Sequence, residues 1–273
     1  MTTPLRPMNL GQLLDRSFYL YRRHFALFVG ISALPMLAIL AFQLTEVLVS
    51  PLPRRVLATF EWAIGTLLVS LGVGAISHGA TVIAVSRVHL GQTTTVADAY
   101  APIQSRFMSL AFITTVTGLM VCIGFFFFII PGVILGLIWS LTIPVAVLEG
   151  SGLAQSLARS RELTRGSRSE IFVIYILVMA LFYMVYLLVQ GPIFYAIRLS
   201  ALARHGAGGY PLWTQIALPI GGFFARCLVG SLLTIVFSLI YYDQRVKKEA
   251  FDLQHMMATL DSAQGGTPTP APV

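Results

Sequence analysis

Apolar residues run almost unbroken through six stretches of this chain, covering residues 25–48, 57–85, 107–130, 133–148, 171–197 and 212–242. At about 1.5 Å per residue, runs of this order cross a hydrocarbon core roughly 30 Å thick. Only helices and closed barrels satisfy their backbone in lipid, and barrel strands alternate apolar and polar residues, which these runs do not. The pattern predicts an all-α polytopic membrane bundle of six transmembrane helices, arranged as three hairpins.

Three of the polar intervals share a design. Each carries arginine and leads into a pair of apolar runs: LGQLLDRSFYLYRRHF (10–25), TTVADAYAPIQSRF (94–107) and SGLAQSLARSRELTRGSRSEIF (151–172). In the first, Leu10, Leu13, Leu14, Phe18, Tyr21 and Phe25 recur at helical spacing, opposite Gln12, Arg16 and Arg23. The second opens on Thr95 three residues before Asp98, a capping-box spacing, and then presents Val96, Tyr100, Ile103 and Phe107 on one stripe that Pro102 shortens or kinks. The third has Ser151 as candidate N-cap and Gly166 as candidate stop, with Leu163 lying off the line of Leu153 and Leu157. Each hairpin is thus predicted to follow a short cytoplasmic interfacial helix, with all three units in one orientation. Parallel repeats about an axis along the membrane normal would produce this pattern. So would basic residues placed before every inward-facing span.

Composition and charge fix the setting. Of 273 residues, 56% are hydrophobic and only 11% charged, against about a quarter charged in soluble proteins. Of the 18 Lys and Arg residues, Arg6, Arg16, Arg22, Arg23, Arg87, Arg106, Arg159, Arg161, Arg165, Arg168, Arg245, Lys247 and Lys248 fall on one side. Arg54, Arg55, Arg198 and Arg204 fall on the other, so the positive-inside rule places both termini in the cytoplasm. The net charge of +7 therefore reflects topology; it points to anionic lipid headgroups as partners, with a membrane-protein partner also open, and not to nucleic acid. No signal-peptide pattern precedes the first run, and Cys122 and Cys227 fall within spans as small packing residues. Residues 1–260 read as one integral membrane domain and 261–273 as a disordered tail. Pro51 and Pro53 break the first outer connection, Ile130-Pro131-Gly132 suggests a tight second, and Gly206, Gly208 and Gly209 fall in a longer third.

A few polar residues interrupt the apolar runs. Arg226 falls near mid-span, where a charge costs about 2.5–3.5 kcal/mol on the permissive insertion scale. Gly222 and Gly230 flank it at helical spacing, and Glu61, Gln43, Glu46 and Gln190 are its candidate partners. His78 shares a small-residue face with Ser70 and Gly74, and Glu149 ends the fourth run at similar depth. Pro35, Pro144, Pro192 and Pro219 free backbone carbonyls that neighbouring groups must satisfy, and Pro219-Ile220-Gly221-Gly222 is the favoured place for a broken, ligand-binding helix. Trp62 and Trp213 suit the outer boundary, with Trp139 deeper. The chain has no HExxH, GxSxG, Walker A or CxxC motif, so no catalytic residue, metal site or cofactor is predicted.

Three segments carry a resemblance. Gly11, Leu14, Asp15 and Arg16 open the chain; Glu149, Gly150, Arg159, Ser160, Leu163, Thr164 and Gly166 follow the fourth run; and Tyr241, Tyr242, Asp243, Arg245, Glu249, Phe251 and Asp252 close the last. Together they resemble the bacterial glycerophosphoryl diester phosphodiesterase membrane-domain family, with Ala250 departing from that family's glycine. The resemblance implies a polytopic domain of the bacterial inner membrane. The catalytic barrel found in some members needs about 250 residues, which the segment after Tyr242 does not supply, so no hydrolase activity is carried over. Asp15, Arg16, Glu149, Arg159, Arg161, Glu162, Asp243, Arg245 and Glu249 could form a cytoplasmic layer of ion pairs, or a surface for a partner. The expected function is a non-enzymatic, accessory or organising membrane module. The alternatives are a small-solute transporter or channel with Arg226 at its site, and an intramembrane lipid-processing enzyme using groups such as His78.

Overall fold

A computed structural model describes residues 9–49, 56–203 and 212–264. Its helices are α1 (Leu10–Arg23), α2 (Phe25–Val49), α3 (Val56–His89), α4 (Val96–Gln104), α5 (Phe107–Phe127), α6 (Ile129–Ile138), α7 (Thr142–Glu149), α8 (Leu153–Thr164), α9 (Arg168–Ala203) and α10 (Leu212–Gln264). Six segments are long and apolar enough to cross a membrane: α2, α3, α5, α6 with α7, α9 and α10. The short helices α1, α4 and α8 precede the three hairpins. The bundle is that of a multi-pass membrane protein.

Most helices outrun their apolar stretch. Among the described residues α10 stays helical to Gln264, past the expected start of the tail; residues 265–273 and the outer connections 50–55 and 204–211 lie outside the description. The second connection departs from expectation. Its turn falls at Phe128 (φ −159, ψ 148), and Pro131 and Gly132 belong to the first turn of α6. A first-turn proline forfeits no helix hydrogen bond. Gly132 packs so closely on α5 that an added Cβ would stand 2.5 Å from the Phe125 ring.

The broken span is the fourth, not the sixth. Backbone at Trp139, Ser140 and Leu141 separates α6 from α7, and Pro144 sits in the first turn of α7, whereas α10 continues through Pro219. Ser151 is not the cap of α8; Gly152 takes that position, and Gly166 follows the helix with φ +92, a conformation open to glycine.

α10 is the common core. It packs on α1, α2, α3 and α9, and at its basic end on α7 and α8, while the α5–α6 hairpin leans on α3 and touches α9. Ile235, Leu239, Ile240 and Tyr241 of α10 are fully buried against Phe28, Ile31, Val85, Leu141, Leu163 and Ile171. The three units are therefore not equivalent. α1 runs along α10: Leu13 lies near Ile240 and Asp243, and the Tyr21 hydroxyl donates to the Leu228 carbonyl about 18 Å further along α10. Buried Leu13, Ser17 and Leu20 face that helix, and the His24 N–H bonds the Leu20 carbonyl at 3.1 Å, so α1 leads into α2 through a kink.

Candidate functional site

The intramembrane candidates do not converge. Arg226 is exposed and makes no ion pair or hydrogen bond among the described residues, although Gly222, one turn away, is buried against Gln190. At about 100° per residue Arg226 lies roughly 40° from Gly222 and 80° from Thr234 on α10, so it projects between α9 and α3. Glu61 is exposed near the start of α3 and is joined to neither. Gln190 is 3% exposed; its amide donates to the Leu218 carbonyl at 3.0 Å, while its Oε1 has no partner. His78 Nδ1 bonds the Thr234 hydroxyl at 2.6 Å, whereas Glu149 accepts from the Tyr241 hydroxyl at 2.8 Å. Those contacts are seven residues apart on α10, about 10 Å, so His78 and Glu149 form no relay.

Each short lead-in helix instead supplies a hydroxyl to a span carbonyl. Tyr21 of α1 donates to Leu228. Tyr100 of α4 donates to Ile31, the carbonyl four residues before Pro35 that the missing proline N–H leaves unpaired. On α8, Ser160 donates to the Ile138 carbonyl at 2.8 Å and accepts from the Leu141 N–H at 3.2 Å, and Thr164 reaches the same carbonyl at 3.3 Å. Ser160 and Thr164 thereby satisfy backbone that the break in the fourth span exposes. Burial pushes the Tyr21 and Tyr100 phenols up to about 12, so both remain donors through the physiological range. In α4 the Thr95–Asp98 capping box forms as expected, with Asp98 Oδ2 3.0 Å from the Thr95 N–H, and these bonds hold the Asp98 carboxyl below its ordinary range.

The family-like residues divide into two groups at the basic end. In the first, Arg159 lies 3.0 Å from Glu162, 3.3 Å from Glu249 and 3.6 Å from Glu149. Arg245 meets Glu249 at 2.8 Å and donates to the Tyr241 hydroxyl at 3.3 Å. Lys248 reaches the carbonyls of Glu162 and Arg165, and Ser167 donates to Gln244 at 2.7 Å. This network fastens α7 and α8 to α10. Asp243 pairs with Lys247 within α10 at 2.7 Å, and Thr164 works at the broken span. Arg161 is exposed and joins no ion pair among the described residues.

Asp15 and Arg16 belong elsewhere. With Tyr19, Leu20, Arg23 and His24 they form one wall of a cleft of about 860 Å³, whose other wall is Val88, His89 and the loop Gly91, Gln92, Thr93, Thr94. Gly91 turns that loop with φ +75. His89 stacks on Tyr242 at 5.2 Å, and its Nδ1 is buried without a partner. Apart from Thr94, which opens the second lead-in segment, the sequence marks this loop only by a glycine and the polar residues that follow it after Arg87 and His89.

Comparison with protein-family models, with characterised proteins and with solved structures found no match.

Proposed function

We propose that this chain is a non-enzymatic membrane module that works through its basic end, associating there with anionic lipid or with an acidic partner. The observation that carries the reading is how charge is distributed. The carboxylates of Glu149, Glu162 and Glu249 are taken up by Arg159 and Arg245, and Asp243 by Lys247, while Arg16, Arg22, Arg87, Arg161 and Arg165 make no ion pair among the described residues. The acids hold the platform together and the surplus cations face outward. Next to apolar spans, such cations attract anionic headgroups by about 1 kcal/mol each. The positive-inside pattern supports a cytoplasmic placement of this end, and the family resemblance supports a bacterial inner membrane. Kinship with the glycerophosphoryl diester phosphodiesterase membrane-domain family forms part of the reading, since its motif-like residues build this end.

The test is binding of the full chain, in neutral nanodiscs, to vesicles with and without anionic lipid. Affinity should require the anionic lipid and fall with salt, and Arg22→Glu with Arg161→Glu should weaken it. Equal association with neutral and anionic vesicles would sink the reading. A second reading, passage of a small anionic solute, draws on the exposed, unpaired Arg226 in mid-span; anion flux in proteoliposomes that Arg226→Ala abolishes would favour it.

A further inference from the structure

The cleft between α1 and the α3–α4 loop is more selective than a charged surface. Its polar lining includes two guanidinium groups, two imidazoles, the Gln92 amide and the hydroxyls of Thr93 and Thr94, against the single carboxylate of Asp15. The Arg23 side chain is braced, donating to the Tyr19 hydroxyl at 2.6 Å and lying 5.9 Å from that ring's centre. The stacked His89 ring is similarly held, yet its Nδ1 lacks the partner that a buried polar atom requires. An arginine fork recognises a planar pair of oxygens and a threonine hydroxyl donates to a third, a set that suits a tetrahedral oxyanion. A phosphate monoester presents three free oxygens and up to two negative charges to that set, one more of each than a diester offers. The volume lies in the range of small-molecule sites and leaves room for the organic group of an ester.

We infer that this cleft is a binding site for a phosphomonoester, with Arg16 and Arg23 on its oxygens and the Gln92–Thr94 loop forming its other edge. The inference rests on the basic-end reading and narrows it to one ligand chemistry. Two sources present that group: a membrane lipid with a terminal phosphate, or a soluble phosphate ester.

The experiment uses the full chain in neutral nanodiscs, probed with phosphatidate vesicles, phosphatidylglycerol vesicles and soluble glycerol phosphate, with thermal unfolding and affinity as readouts. Phosphatidate should bind more tightly than the diester phosphatidylglycerol. Arg16→Gln or Arg23→Gln should each lose about tenfold in phosphatidate binding beyond any loss with phosphatidylglycerol, one charge-assisted hydrogen bond, while Arg161→Gln, outside the cleft, weakens binding to both vesicles alike. Gln92→Ala, on the exposed loop, should weaken binding without touching the packed bundle. Phosphatidate binding without glycerol phosphate binding assigns a lipid, and the reverse assigns a soluble ester. Equal losses in Arg16→Gln and Arg161→Gln, or no preference for the monoester, would overturn the site while leaving the basic-end reading standing. Glycerol phosphate protection without any response to anionic vesicles would remove the basic-end reading and keep the site.

Discussion

The hydrogen bond from Tyr100 to the Ile31 carbonyl offers a test of whether α4 stabilises the bundle by repairing a proline defect. Ile31 is fully buried, and Pro35, four residues on, has no N–H to give it. Removing the hydroxyl in Tyr100→Phe leaves that carbonyl buried and unpaired, which costs about 1–3 kcal/mol. Pro35→Ala supplies a local N–H, so in that background the same Tyr100→Phe change should cost close to nothing. The two substitutions should therefore couple by about 1–2 kcal/mol, within the span found for groups in one hydrogen-bond network. Equilibrium unfolding in mixed micelles for the wild type, both single variants and the double variant measures this directly. An equal cost of Tyr100→Phe in the two backgrounds would refute the repair and reduce Tyr100 to a packing residue.

Three further outcomes follow from the same geometry. Arg159→Ala leaves Glu162 without its cation, with Glu149 held by Tyr241 alone and Glu249 by Arg245 alone, and should destabilise by about 1–2 kcal/mol, with α8 becoming the first site of limited proteolysis; Glu249→Gln should cost less, because Arg159 keeps two of its three carboxylates. Gly132→Ala places a methyl 2.5 Å from the Phe125 ring and 2.7 Å from its backbone nitrogen, so the hairpin must shift, at about 1–3 kcal/mol in thermal unfolding. The Tyr21 and Tyr100 phenols, raised from 10.0 to about 12 in the fold, contribute stability that is complete below pH 10.0 and is lost as pH rises through about 12. Unfolding followed between those values should steepen in the wild type and flatten in Tyr21→Phe with Tyr100→Phe.

Hydropathy and helix punctuation were enough to find the spans and the three lead-in helices, because both depend on local spacing. The Thr95–Asp98 cap is a three-residue event and was equally legible. Contacts between distant segments were not. Tyr100 reads as one more apolar position on its stripe, and only the packing of α4 below α2 turns its hydroxyl into the partner of Ile31. Gly222 and Gly230 suggested a packing face around Arg226, but the helix presents Gly222 to Gln190 and rotates Arg226 outward. Pro144 looked like a kink and instead starts a helix, since the Ser160 and Thr164 hydroxyls let the chain break just before it. The charged motif residues were expected in one layer; they separate because α1 runs along α10, which carries Asp15 and Arg16 away from the Arg159 network.

The placement of α10 bears on how the protein is made. The helix against which α1, α2, α3, α7, α8 and α9 pack comes last among the described helices, so the ribosome delivers it after its neighbours. At roughly 5–20 residues per second, Leu13 and Leu20 of α1 would wait about 10–45 s for Ile235 to Tyr241 to be synthesised. During that interval the earlier hairpins can pack through α3 against α2 and α5, while the face of α1 that α10 covers stays open. A nascent chain in that state exposes α1 to chaperones and proteases, and its survival depends on how fast translation reaches the final span.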